Sequence, residues 1–215
     1  MSTSTQHSER LLDRPPSKIA LQGHYSLAYW FDPQGKPRTF ACRTVSVSPF
    51  QMTLAVAVVG KVGDRITACF ADLSNKMDGS IKDTFAGGFM FEPHLTDPER
   101  ERLAGKLAWL EKKRRDPAVP DPRKHERFVP ENPHSTLTFA DGSTRSCFVI
   151  DMSVTGVAVS AEVQPPIGTA LAVGACVGRV VRLLPEGFAI QFAKTLSRQY
   201  LNRLLLRSDP ASRRT

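Results

Sequence analysis

The sequence has little of what marks the commonest reactive protein classes. Its four cysteines, Cys42, Cys69, Cys147 and Cys176, are scattered and form no Cys-x-x-Cys pair. That spacing argues against a zinc ribbon or a thioredoxin-like redox centre and reads as buried free thiols. His125 and His134 lack ligand-type neighbours at metal-binding spacing, so no metal and no cofactor are expected. Ser153 has no Gly-x-Ser-x-Gly elbow around it, and no nucleophile–base set stands out elsewhere. The chain is therefore read as a non-enzyme. No apolar run approaches the roughly 18 residues of a membrane helix, so no membrane span is expected. The opening MSTSTQHSERLLDR has no apolar signal core, which reads as a cytoplasmic protein.

What the chain does have is localised positive charge. Its formal net charge is +8 over 215 residues. Residues 111–127 carry seven Lys/Arg against four Asp/Glu, and residues 194–215 carry six against one. These two stretches account for the whole excess, and the rest is balanced. A basic stretch between two balanced regions suggests an anionic partner there. The stripe Arg198, Arg203, Arg207, Arg213 and Arg214 reads as a solvated helix face and tail.

The chain also repeats itself. Cys42–Ser46 corresponds to Cys147–Asp151 at an offset of 105, which also maps Gly63 onto Gly168. After a six-residue insertion in the first copy the offset becomes 99, mapping Gly79 onto Gly178 and Gly88-Phe89 onto Gly187-Phe188. Two copies of one domain follow from this. Each copy has short β-rich runs separated by turn residues. In the second copy these are 135–139, 146–151, 157–160, 169–173, 179–184 and 188–192, with Asp141-Gly142 and Glu186-Gly187 as hairpin signals. Six short antiparallel strands in under about 70 residues bury themselves best as a closed barrel, which also removes sheet edges. An apolar-striped helix follows each copy, Asp97 to about Arg115 and Leu196 to about Leu206. Leu103, Leu107 and Leu110 in the first, and Leu196, Tyr200, Leu201 and Leu204 in the second, are placed to cover a barrel opening. The fold class expected is mainly β, with two tandem six-stranded antiparallel barrels, each followed by an α-helix. The boundaries read as an N-terminal tail 1–19, a first barrel plus helix 20–115, a linker 116–133, a second barrel plus helix 134–208 and a C-terminal tail 209–215.

The linker holds five prolines in eighteen residues, which disfavours helix and central strand. It also holds Arg123-Lys-His-Glu-Arg127. Arginine offers a rigid fork of donors that suits phosphate oxygens and the O6/N7 edge of guanine. Downstream comes Asp151-Met-Ser153-Val-Thr-Gly156. Ionised Asp151 is a pure acceptor, matched to the N1–H and N2–H₂ edge of guanine. Ser153 lies two residues on, on the same strand face. Gly156 is expected to allow a turn with φ > 0 and a close backbone approach.

Arg-x-x-x-Arg, then one or two strands, then Asp-x-Ser-x-x-Gly resembles the signature of the PilZ family, whose small β-barrels bind cyclic di-GMP. The resemblance implies that Arg123 and Arg127 clamp phosphate and guanine, and that Asp151, Ser153 and Gly156 form the barrel half of the site. Lys124 and Arg179 are additional candidates. It covers the second copy nearly completely. The first copy departs from it, with Ser46 at the position of Asp151, Gln51 at that of Gly156 and only Ser48 matching Ser153. Its Arg10-Leu-Leu-Asp-Arg14 lies further from its barrel. The first copy is therefore expected to be a degenerate scaffold or interaction domain. The resemblance implies a cyclic di-GMP receptor whose ligand orders the linker and regulates an unidentified protein partner in motility, exopolysaccharide synthesis or surface behaviour. The alternatives are a basic barrel binding RNA or DNA and a ligand-independent interaction scaffold. The nucleic-acid reading is disfavoured because the basic linker offers only Phe128 as a stacking platform, Trp30 and Trp109 lying elsewhere.

Overall fold

The computed structural model describes residues 15–73, 76–113, 128–197, 199 and 201. The first barrel is built from β1 (Gln22–Phe31), β2 (Pro37–Val47), β3 (Met52–Val56), β4 (Arg65–Phe70), β5 (Lys76–Phe85) and β6 (Gly88–Pro93). The second is built from β7 (His134–Phe139), β8 (Thr144–Ser153), β9 (Gly156–Ala161), β10 (Ala170–Val173), β11 (Cys176–Leu184) and β12 (Gly187–Phe192). Both sheets close, in the orders β1-β2-β3-β6-β5-β4 and β7-β8-β9-β12-β11-β10. The expected fold of two closed six-stranded antiparallel barrels is what the chain adopts. It divides into two compact units, one around each barrel.

The two barrels share atomic detail at the offsets of the sequence repeat. The amide of Gly63 donates to Ile81 and that of Gly168 to Val180, both at 2.8 Å. Both glycines have φ in the left-handed region, 91° and 94°, where only glycine is unstrained. Register shifts fall between Ile81 and Asp83 in β5, and between Val180 and Arg182 in β11. The six extra residues of the first copy lie in its β4–β5 hairpin.

Each core follows from strand alternation. In the second barrel, Leu137, Val149, Met152, Val159, Val173, Phe188 and Ile190 are among the fully enclosed side chains. In the first, Tyr25, Leu27, Leu54, Phe70, Ile81, Phe89 and Phe91 are all buried to 0% exposure, and Tyr25 meets Phe89 edge to face at 5.3 Å. Each such side chain stabilises its barrel by about 1.5–3 kcal/mol of transfer free energy.

After the first barrel, α1 (Asp97–Lys113) starts where the Glu99 carboxylate accepts from the amide and hydroxyl of Thr96, at 2.8 and 2.7 Å. This is one half of a capping box, and it holds the Glu99 carboxyl below its ordinary range. The helix buries Leu103, Ala104, Leu107 and Leu110, as the leucine spacing predicts. In the second unit, Leu196 packs against the core and helical Leu201 is fully buried. The rest of the expected 196–206 helix lies outside the described residues, as does most of the linker. Among the described residues no helix is long and apolar enough to cross a membrane.

Two glycine roles read from sequence need correcting. Glu186-Gly187 is not a turn pair: the turn is Pro185-Glu186, and Gly187 begins β12. A Cβ on Gly187 would stand 2.0 Å from the carbonyl oxygen of Val159, so the position demands glycine for close strand approach. Gly156 likewise does not have φ in the left-handed region. One thiol also departs from expectation, since Cys69 is only half-buried, whereas Cys42, Cys147 and Cys176 are buried.

Candidate functional site

Asp151 and Ser153 face outward on β8 because of a bulge. Cys147 and Val149 point into the barrel, and strict period-two alternation would send Asp151 inward after them. The pairing instead steps from Val149↔Val159 to Asp151↔Ala158, leaving Ile150 as the extra residue. Met152 then takes the inward position, at 0% exposure, and Asp151 turns out. The second barrel uses the same device once more. Cys176, Gly178 and Val180 point inward along β11, and the shift at Val181 turns Arg182 out opposite Ala189. Bulges commonly re-aim side chains in this way beside functional sites.

The registers of four neighbouring strands then define two rows on the outer face. The first runs Asp151, Ala158, Ala189, Arg182 across β8, β9, β12 and β11. The second runs Ser153, Gly156, Gln191, Arg179. Small residues in the middle and polar ones at the ends make a trough. A cleft of about 420 Å³ lies there, lined by Asp151, Ser153, Gly156, Arg182 and Gln191 around Ala158 and Ala189. That volume is within the roughly 300–1,000 Å³ typical of small-ligand clefts.

Gly156 keeps the trough open at the backbone level. A Cβ there would stand 2.5 Å from the carbonyl oxygen of Ile190. Glycine is therefore required for the close approach of β9 to β12. The Ser153 hydroxyl lies 3.2 Å from that of Thr155 and accepts weakly from the Thr155 amide at 3.4 Å, closing the tight β8–β9 turn.

The lead-in to the barrel approaches the same strand. Phe128 N donates to Met152 O, and Met152 N to Phe128 O, both at 2.9 Å. Val149 N donates to Pro133 O. The described end of the Pro-rich segment, residues 128–133, thus lies along β8. Arg123, Lys124 and Arg127 lie outside the described residues. Arg179, the other additional candidate, donates from Nη1 to the Gly168 carbonyl, at the turn before β10. It heads the second row but does not line the cleft. Arg182, which does, reads from the sequence, like Arg179, as a barrel-surface charge and is not among its site candidates. Nothing in a strand-alternation pattern distinguishes it, because the bulge that exposes it is invisible at that level.

The first barrel carries the equivalent face with different chemistry. Its counterpart of the first row is Ser46, Thr53, Met90, Asp83, with Thr53↔Met90 and Asp83↔Met90 paired. Ser46 Oγ donates across to Thr53 Oγ1 at 3.0 Å. Side chains fill the floor where the second barrel has alanines, and an aspartate stands where it has Arg182. The second row ends in Glu92 and Ser80, with Glu92 in an ion pair with Lys82.

Among the described residues no group of three or more His, Cys, Asp or Glu side chains forms a metal-ligating cluster. The buried thiols are inert by the same logic that places them inside. Burial pushes Cys147 up to about 12, with only partial relief from a hydrogen bond to Ser135, and raises Cys42 and Cys176 as well.

Comparison with known proteins follows this geometry. The family model described as PilZ domain matches residues 121–207. No curated protein matches the chain. Among solved structures it is similar to the Borreliella burgdorferi PlzA protein in complex with c-di-GMP, at 13% identity and a TM-score of 0.31, with 95% of this chain and 97% of that one covered. It is similar to Escherichia coli YcgR in complex with c-di-GMP, at 12% identity and a TM-score of 0.30, covering 93% and 85%. It is also similar to the Bacillus subtilis inhibitor of motility MotI/DgrA, at 10% identity and a TM-score of 0.29, covering 88% and 94%.

Proposed function

We propose that the protein is a receptor for cyclic di-GMP and that the ligand occupies the cleft on its second barrel, a reading supported by the match of residues 121–207 to the PilZ domain family model. In this reading Asp151 accepts from the guanine N1–H and N2–H₂ edge, Ser153 adds a hydroxyl on the same face, and Gly156 lets the ligand approach the backbone. Arg123 and Arg127, with Lys124 beside them, supply the phosphate and guanine-edge contacts that a dianionic ligand needs.

The observation that carries the reading is the Phe128–Met152 bridge. It ties the residue directly after Arg127 to the residue between Asp151 and Ser153. Consecutive Cα atoms are about 3.8 Å apart, so the arginine side chain starts within one residue of the strand that carries the acceptors. On this reading, two motifs 24 residues apart in sequence meet at one edge of one cleft.

Binding would lay residues 116–127 against the second barrel, and the protein acts as a switch through that ordering rather than through catalysis. A ligand can bias such an equilibrium only through contacts made in one state, and the arginine–phosphate contacts are of that kind. The first barrel, with its filled and acidic row, serves as a scaffold or interaction domain. The downstream partner is a protein of the motility, exopolysaccharide or surface-attachment machinery.

Hydrogen exchange with and without cyclic di-GMP tests this. Added protection is expected in residues 121–128 and 151–157, and none in the matching first-barrel stretch 46–52. Identical exchange profiles at high micromolar ligand would sink the reading.

A further inference from the structure

The cleft has a cationic end that neither motif contains. Arg182 sits at the far end of the row that begins with Asp151, three strands away. Three interstrand spacings put the two backbones about 14 Å apart. Along the row between them stand Ala158 and Ala189, both of which line the cleft. Val181, the bulged residue, is 44% exposed and adds an apolar wall beside Arg182. Bulges at Ile150 and at Val181 turn out both ends of the row, so the fold spends the same distortion on Arg182 as on Asp151.

We propose that Arg182 is a further ligand-contacting residue of this cleft, taking a phosphate of the purine nucleotide whose base lies on Ala158 and Ala189 with its edge toward Asp151. The assignment rests on reading the cleft as the cyclic di-GMP site. The chemistry is complementary along the row. A carboxylate meets a donor edge, a flat apolar floor meets a ring face, and a guanidinium fork meets phosphate oxygens. The first barrel shows the inverse, with Thr53 and Met90 filling the floor and Asp83 in place of the cation. That substitution set repels the phosphate and blocks the ring together, which no single change would do. Arg179 is set apart from this role because its guanidinium is engaged on the Gly168 carbonyl.

The test is calorimetric titration of the full chain with cyclic di-GMP, comparing wild type with Arg182→Gln, Arg182→Lys, Ala189→Met and, as control, Arg179→Gln. Thermal midpoints are recorded in parallel. Arg182→Gln should weaken binding about 10- to 150-fold, the weight of one charge-assisted hydrogen bond. Arg182→Lys should recover part of the loss, since the charge returns without the fork. Ala189→Met should weaken binding by obstructing the floor, and Arg179→Gln should stay within about twofold of wild type, well under the tenfold that 1.4 kcal/mol represents. Because Arg182 is exposed, midpoints should not move. If the wild type binds and Arg182→Gln binds within about twofold of it, the assignment is wrong while the cyclic di-GMP reading stands. A loss that Lys does not rescue and that tracks a lowered midpoint also overturns it, since it marks a structural role. If the wild type does not bind, both fall together.

Discussion

Phe128 and Met152 exchange both backbone hydrogen bonds, and Ser17 and Val47 make the same bridge in the first barrel, at 2.8 Å each way. The two bridges differ in what precedes them. Arg127 stands one residue before its anchor, whereas Arg14 stands three before, with Pro15 and Pro16 between. Inserting Pro-Pro between Arg127 and Phe128 reproduces the first-barrel spacing. Each residue added extends the chain by up to about 3.3–3.6 Å, enough to carry an arginine fork off its phosphate. The expected outcome is at least a tenfold loss of cyclic di-GMP affinity by titration, with the thermal midpoint unchanged.

Gly156 and Gly168 should respond differently to alanine. A Cβ on Gly156 collides with the Ile190 carbonyl at 2.5 Å, so β9 and β12 must part at the floor of the cleft. Gly156→Ala should cost about 1–3 kcal/mol of stability, as overpacking does, and should lower ligand affinity as well. Gly168 has open space around its missing side chain but φ of 94°. Gly168→Ala should cost about 1 kcal/mol through backbone strain and leave affinity intact. Urea melts and titrations of the two variants separate the effects, and an affinity loss in Gly168→Ala would contradict the account.

Most of the fold was legible in the sequence, for a definite reason. Alternating apolar residues bounded by Gly, Pro and Asp mark all six strands of the second barrel, and the glycines that fix the repeat offsets are those that strand contact or positive φ requires. The single-residue bulges were not legible. Ile150 and Val181 look like any β-branched strand residue, yet each reverses which face its successor presents. From the sequence Arg179 and Arg182 both read as barrel-surface charges, and the alternation pattern does not show that Arg182 rather than Arg179 lines the cleft. Gly156 likewise reads partly as a turn residue, when the constraint on it is a carbonyl on a neighbouring strand far away in sequence. Within the candidate site, Asp151 and Ser153 share the outward face that period two anticipates, but they reach it only because the bulge corrects the parity.

The thiols supply a pH prediction. Burial raises Cys147 from its ordinary 9.0 to about 12, and Cys42 shifts the same way. The unfolded thiols ionise near 9 and the folded ones do not, so this contribution to stability is intact below about pH 9 and is lost as pH rises toward 12. Denaturant midpoints should hold from pH 7 to 8.5 and fall by pH 10. At pH 8, Ellman's reagent should modify the half-buried Cys69 ahead of the other three, which should react only on unfolding. Rapid modification of Cys147 in the native protein would contradict its burial.

All saturable binding should belong to one barrel. Asn at position 151 keeps the size of Asp but replaces one acceptor oxygen with a donor, which faces the guanine donors wrongly. In the full chain, Asp151→Asn should weaken binding about 10- to 150-fold or more. No second, unaffected class of sites should remain, because the first barrel offers Ser46, Thr53, Met90 and Asp83 at the equivalent positions. Residual wild-type-affinity binding in this variant would show that the first barrel is a receptor too.

The central claim is that the cleft between Asp151 and Arg182, completed by Arg123 and Arg127, binds cyclic di-GMP. Isothermal titration of the full chain with cyclic di-GMP tests it most directly, with Arg123→Ala and Arg127→Ala run alongside. Saturable binding by the wild type, weakened about 10- to 150-fold by either substitution, is the predicted result. No heat of binding from the wild type at high micromolar ligand, or binding that both substitutions leave unchanged, would contradict it.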